Sequence, residues 1–115
     1  DIAEVVTMLD AERAVEMTLI PEMAGETVKM VRGAIDAFVL RDLTLAKWVI
    51  DMDDVVDALF VREKNALIEL LRRDRNAAAH ALDLLMIAKY LERIGDHAAN
   101  IAEWVAFAIT GTHKE

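Results

Sequence analysis

The chain has 115 residues, enough for one domain with its own core and too few for several. Its net charge of −8, with one basic cluster at Arg72-Arg73-Asp74-Arg75, sets most of the surface against phosphate backbones; direct nucleic-acid binding is disfavoured, and cations or basic protein surfaces are the favoured partners. An apolar content of 56% with four glycines and one proline excludes a disordered chain and favours long helices, and the lack of cysteine removes disulfides, thiolate catalysis and thiolate metal sites.

Residues 1–17 carry Ile2, Val5, Val6 and Leu9 at helical spacing. Pro21 interrupts that pattern and suits the first turn of a new helix, with the acidic Glu22 behind it. This second helix is expected to run to Leu40 with Met23, Val28, Val31, Ile35 and Phe38 on its core face. Arg41-Asp42 reads as a short break, with Asp42 as the N-cap of a helix over 43–73 whose stripe is Leu45, Trp48, Val49, Met52, Val56, Leu59, Phe60, Leu67 and Leu70.

A last helix is expected from 75 to 109, with Ala81, Leu84, Ala88, Leu91, Ile94, Ala98, Ile101 and Val105 on one face and Thr110-Gly111 as its stop. The turn near Asp74–Asn76 has weak chemistry of its own. It is placed by length, because one helix from 43 to 109 would be about 100 Å long. Long helices with short connections predict an all-α, antiparallel three-helix bundle over residues 21–111, followed by a tail at 112–115.

No apolar run approaches the ~20 residues that span a bilayer, and no signal peptide is evident. The chain opens on Asp1 already in a helical pattern, so it reads as a fragment of a longer protein. Asp1-Ile2-Ala3-Glu4-Val5-Val6 also matches Asn100-Ile101-Ala102-Glu103-Trp104-Val105 at four of six positions. Residues 1–17 are therefore expected to be the helical tail of a preceding repeat.

Two carboxylate pairs stand at i,i+4 spacing, Asp53 with Asp57 and Glu92 with Asp96, which stacks both members of each pair on one helical face. Glu12/Glu16 and Glu22/Glu26 share the spacing, so spacing alone also fits a solvated acidic face. Two features separate the first two pairs. Each flanks the apolar stripe of its helix, and their midpoints, 55 and 94, average to 74.5, inside the expected turn. Folding the helices back on each other brings both pairs to one height, roughly 29 Å from the turn. Four carboxylates at one level need counter-charge, either from Lys89, Arg93 and His97 or from a bound cation.

The stretch Ile87-Ala88-Lys89-Tyr90 followed by LERIGDHAANIAEW closely resembles the PhoU family of phosphate-signalling regulators. Ala37-Phe38 with Arg41-Asp42, then Val49-Ile50 and Asp53-Asp54-Val55-Val56-Asp57-Ala58-Leu59-Phe60, is similar to that family's acidic second-helix motif. The likeness runs from Met23 to Gly111 and looks like the second of two tandem bundles. It implies a cytoplasmic, non-enzymatic regulator of phosphate uptake and of the phosphate-starvation response, a negative regulator that acts indirectly on transcription. The implied partners are the ATPase of the phosphate ABC transporter and a membrane sensor histidine kinase, and a homodimer is compatible with the family. Some members bind metal clusters through E/D-x-x-x-D motifs, which fall here on Asp53, Asp57, Glu92 and Asp96 with Asp54 and Asn100 beside them; iron, zinc, manganese and magnesium all remain open.

A different reading, a histidine-phosphotransfer or other helical signalling bundle without metal, would use His80 or His97. A helical enzyme would need Arg13, Arg32 or Arg62 turned inward. The Glu-x-x-His pattern of di-iron bundles is missing, as Ala77 and Ile94 precede the two histidines by three residues. Gly95 inside a helix costs about 1 kcal/mol relative to alanine and is expected either to allow close helix packing or to clear space beside the acids. Trp48 and Trp104 are expected at stripe edges, half in the core, with Trp104 a candidate partner anchor. Arg72–Arg75 reads as a solvated hairpin tip.

Overall fold

The computed structural model describes residues 18–111. They form three α-helices: α1 (Ile20–Leu40), α2 (Leu43–Arg73) and α3 (Ala78–Thr110), with a 3-10 turn over Arg75–Ala77 between the last two. The expected helix at 1–17 and the tail at 112–115 lie outside the described residues.

Local chemistry accounts for each boundary. Pro21 occupies the first turn of α1, where its missing N–H costs no hydrogen bond. α1 stops at Arg41, which adopts the left-handed conformation (φ 52°, ψ 47°). Asp42 then caps α2, its Oδ1 accepting from the Leu45 N–H at 3.0 Å. Asp74 is extended, and its Oδ1 accepts from the Asn76 N–H at 2.9 Å, which turns the chain into the 3-10 segment. α3 ends on Gly111 at φ 71°, the left-handed stop that glycine takes without strain.

Each helix packs on the other two. α1 and α3 run parallel, and α2 runs antiparallel to both. The Thr27 hydroxyl donates to the Leu91 carbonyl at 3.5 Å, which fixes the register of α1 against α3.

The core faces of α2 and α3 largely match the periodic reading, with Val49, Val56, Leu59, Leu67, Ala81, Leu84, Ala88, Ala98 and Val105 buried. α1 differs. Val28, Ile35 and Phe38 are exposed, and the buried face is Met23, Thr27, Met30, Gly33, Ala34 and Ala37. α1 carries apolar residues on more than one side, and the side with the small residues is the one that lets α2 approach closely. Ile94 and Ile101 on α3 are likewise exposed, because Gly95, Ala98, Ala99 and Ala102 form the contact face. Trp104 is mostly exposed rather than half in the core, and Trp48 lies over Gly33 at the surface. No helix among the described residues is long and apolar enough to cross a membrane.

The two buried glycines differ in kind. A Cβ on Gly33 would stand 2.7 Å from Val49 Cγ2 and 3.2 Å from the Trp48 ring, whereas one on Gly95 would meet Met30 and Val56 at 3.5 and 3.6 Å, ordinary contact distances. Neither close packing nor clearance therefore requires glycine at 95. In urea denaturation Gly33→Ala should destabilise the protein, since overpacking against a stiff valine costs about 1–3 kcal/mol. Gly95→Ala should be neutral or stabilising by up to about 1 kcal/mol from helix propensity. The opposite ranking would contradict the packing described.

Candidate metal centre

The hairpin of α2 and α3 brings three aspartates together. One carboxylate oxygen from each of Asp53, Asp57 and Asp96 lies within 4.8 Å of the others. Asp53 and Asp57 share a face because they are one helical turn apart, and Asp96 meets them because the turn at Asp74 sets the two helices in register. No other group of three or more acids and histidines lies so close among the described residues.

Glu92 stands at the rim. Its charge and closeness help raise the pKa of Asp57, and its Oε1 takes the Lys89 ammonium at 2.5 Å, while Lys89 also sits 5.1 Å from the centre of the Phe60 ring. Asp54 is exposed and acts on the cluster through its charge alone, raising the affinity of Asp53 and Asp57 for protons. Asn100 is exposed one turn beyond Asp96. Of the expected counter-charges only Lys89 is engaged, and it is spent on Glu92. Arg93 and His97 are exposed and make no ion pair among the described residues.

The electrostatics follow from this crowding. Partial burial, a hydrogen bond shared with Asp96, and the charges of Asp57, Asp96 and Asp54 push Asp53 from 3.8 to about 7. Asp57 is pushed to about 6 by burial first and then by the charges of Asp96 and Glu92. The Oδ1 of Asp53 is buried and has no hydrogen-bond partner among the described residues. A buried carboxylate oxygen without a donor is costly, and a hard cation, which gathers several oxygen ligands, is the kind of group that would satisfy it. The residues therefore fit a metal ion: Asp53, Asp57 and Asp96 would hold it, with Glu92 and water completing the coordination. Its chemistry there would be to replace mutual repulsion by attraction and so clamp α2 to α3.

Other candidates do not converge on a site. His97 is exposed and His80 half-buried, and neither joins a cluster. Arg32 and Arg62 face solvent instead of an inner pocket, and Arg13 lies outside the described residues.

One buried acid escaped the sequence reading. Glu63 is fully buried on α2, and neither of its oxygens has a hydrogen bond of good geometry among the described residues. Burial raises its pKa, while the Leu19 backbone and the Thr18 side chain at the entry to α1 act weakly the other way. The signal was present, since Glu63 falls in the apolar stripe between Leu59 and Leu67 at helical spacing.

Comparison with known proteins agrees with the residue pattern. The family model described as "PhoU domain" matches residues 20–105. The "Phosphate-specific transport system accessory protein PhoU homolog" of Clostridium acetobutylicum is 34% identical over 112 residues, 96% of this chain and 51% of the relative. The protein of the same name from Zymomonas mobilis is 41% identical over 93 residues, 81% of this chain and 39% of the relative. The crystal structure of PhoU from Pseudomonas aeruginosa superposes with a TM-score of 0.78 at 36% identity, covering 80% of this chain and 44% of that one. The chain thus spans about half or less of the length of these relatives.

The raised carboxyls set a pH dependence. Asp53 and Asp57 bind protons more tightly in the folded than in the unfolded chain, so stability is highest below about pH 4 as far as these groups are concerned. It is lost as pH rises through about 6 to 7. Thermal melts of metal-free protein across that range should show a falling midpoint, and Asp53→Asn should flatten the fall; an unchanged slope would show that the aspartates do not repel as described. Glu63→Gln should raise the midpoint at pH 8, because it removes a buried charge while keeping the side chain's shape. A lower midpoint would mean that the charge itself is satisfied.

Proposed function

The chain belongs to the PhoU family, and on that premise we propose that it is a non-enzymatic regulatory module of phosphate uptake and phosphate-starvation signalling, acting by protein contact and carrying a metal ion on Asp53, Asp57 and Asp96 with Glu92 at the rim. The relatives' name, accessory protein of a phosphate-specific transport system, supports a role beside a transporter. The partners this reading assigns are the ATPase subunit of the phosphate ABC transporter and a sensor histidine kinase, which places the chain in the cytoplasm, at the membrane only through them. Iron, zinc, manganese and magnesium are the candidate ions, since an all-carboxylate set suits hard and borderline cations.

The observation that carries the metal reading is the meeting of three aspartates from two helices, one with a buried oxygen lacking a donor and none paired with a cation among the described residues. A solvated acidic face would spread its charges and expose their oxygens. This cluster gathers its charges at one level and buries one oxygen of Asp53.

Elemental analysis of protein purified without chelator, beside the double variant Asp57→Ala with Asp96→Ala, tests it directly. Wild type should retain metal in stoichiometric amount, and the variant should lose it while keeping its helical signal and a cooperative melt. Equal and negligible metal in both would remove the cation from the proposal and leave the protein-contact reading to be judged by binding to the two partners.

A further inference from the structure

Glu63 is the one fully buried charged side chain among the described residues, and the aspartate cluster makes no use of it. It lies in the core-facing stripe of α2 between Leu59 and Leu67, and neither carboxyl oxygen has a hydrogen-bond partner of good geometry among the described residues. The register of the bundle places its surroundings. Asp53 facing Asp96 sets Glu63 level with Met86 on α3, and Thr27 bonding to Leu91 sets Glu22 on α1 at the same height. Buried Leu84 and Ala88 flank that height on α3. The start of α1 closes the remaining side, with the Leu19 backbone and the Thr18 side chain within reach of the carboxyl.

These walls are not equally firm. Inside α2 and α3 every residue is held by the helical hydrogen-bond ladder on both sides of it. The start of α1 is held by much less. Its N-cap, Leu19, has no side chain that caps the helix, Pro21 has no N–H to donate, and the Ile20 N–H reaches the Thr18 hydroxyl only at a long 3.3 Å. The ladder begins with the Met23 N–H donating to the Leu19 carbonyl at 2.8 Å. Local opening costs least at such a helix end. Nor does a neighbouring charge compensate the acid. Arg62 and Lys64 beside it on α2 are exposed and turned about 100° to either side. Glu22 and Glu26 on α1 are acids themselves, and Asp83, Lys89 and Tyr90 on α3 are exposed. Lys89 pairs with Glu92 and Lys29 with Glu26, and no ion pair reaches Glu63 among the described residues. Asp57, the candidate ligand nearest in sequence, is six residues away, about 9 Å along the helix.

We propose that Glu63 is a proton-operated latch on the entry to α1: neutral, it lets the turn at Thr18–Ile20 lie closed on α2, and ionised, it drives that turn off so that the carboxylate reaches water. An ionised Glu63 has two ways to be satisfied, by accepting from the Leu19 N–H and the Thr18 hydroxyl or by hydration. Burial outweighs the first, since the group holds its proton more tightly than a free glutamate in spite of both neighbours. The weakest wall then gives way to the second. The closed entry binds the proton more tightly than the open one. Closure is therefore complete below the ordinary glutamate value of 4.5, weakens as pH rises above it, and is lost through the raised value of the closed form. Residues 1–17 join the bundle through this turn, so one core proton sets how firmly their attachment point is held.

Hydrogen exchange of the full chain, read by mass spectrometry from about pH 5 to about pH 9, the span in which buried glutamates titrate, tests this. Relative to Glu63→Gln at each pH, the wild-type amides of 18–24 should open more readily by up to about tenfold per pH unit until the closed form has titrated. Those of 98–105, far along α3, should match the variant throughout. A carbon NMR titration of the Glu63 carboxyl in the wild type gives a readout that needs no variant: its midpoint should lie above the ordinary glutamate range and coincide with shifts of the Leu19 and Ile20 amides. Exchange at 18–24 that is the same in wild type and Glu63→Gln overturns the proposal. So does an equal rise at 18–24 and 98–105, which would make Glu63 a burden on the whole fold instead of a latch on one end. A carboxyl that titrates in the ordinary range, or entry amides that ignore its titration, overturns it as well, even where Glu63→Gln fails to fold.

Discussion

The register between α2 and α3 governs what this bundle can do. Asp53 faces Asp96, and Asp57 faces Glu92, because the positions in each pair sum to 149 and the chain reverses at Asp74-Arg75. A slip of one residue in that turn would slide one helix by about 1.5 Å and turn its side chains by about 100°. The acids of one arm would then point past those of the other. Few interactions hold the reversal itself: Asp74 accepts from the Asn76 N–H, and its own N–H reaches the Leu70 carbonyl. The rest of the register comes from packing along the length of the hairpin.

Small side chains make that packing close. The face of α3 that meets its neighbours is Ala81, Ala88, Gly95, Ala98, Ala99 and Ala102, and α1 brings Gly33, Ala34 and Ala37 to the same core. Larger residues at those positions would hold the helices further apart and separate the carboxylates on their flanks. The acidic cluster is thus a consequence of an alanine-lined core, and the repulsion it contains is the cost of that proximity in the absence of a cation. Glu63 adds a second electrostatic burden at the entry to α1, where a buried carboxyl meets the start of the helix.

Much of this was legible in the chain itself. Asp42 as a cap, Pro21 as an entry, Gly111 as a stop and the approach of Asp96 to Asp53 and Asp57 all depend on short-range chemistry or on counting residues to a turn, and each stands in the structure, with Glu92 outside the group of three. The core face of α1 was not legible from periodicity, because Val28, Ile35 and Phe38 offered as good an apolar stripe as Met23, Met30 and Ala37. The choice between the two faces was made by volume, which a hydrophobic pattern does not weigh. Trp104 was misplaced for the same reason, since the alanines beside it took the interior and left the larger ring outside. Glu63 was missed because an acid between Leu59 and Leu67 interrupts a stripe without ending it.

The acidic cluster and the turn between α1 and α2 are joined by one continuous helix. α2 begins two residues after Arg41, and Asp53 lies 10 residues along it, about 15 Å by helical rise. An ion at Asp53, Asp57 and Asp96 would act on the rest of the bundle only if the two states of the cluster held α2 at different distances or tilts from α3, because coupling requires a difference in free energy between states. The pattern of charges supplies such a difference. Without a cation the three aspartates repel one another or take up protons, and a bound cation would replace that repulsion by attraction. The break between α1 and α2 is a two-residue turn pinned by the Asp42 cap, with Arg41 in the left-handed conformation.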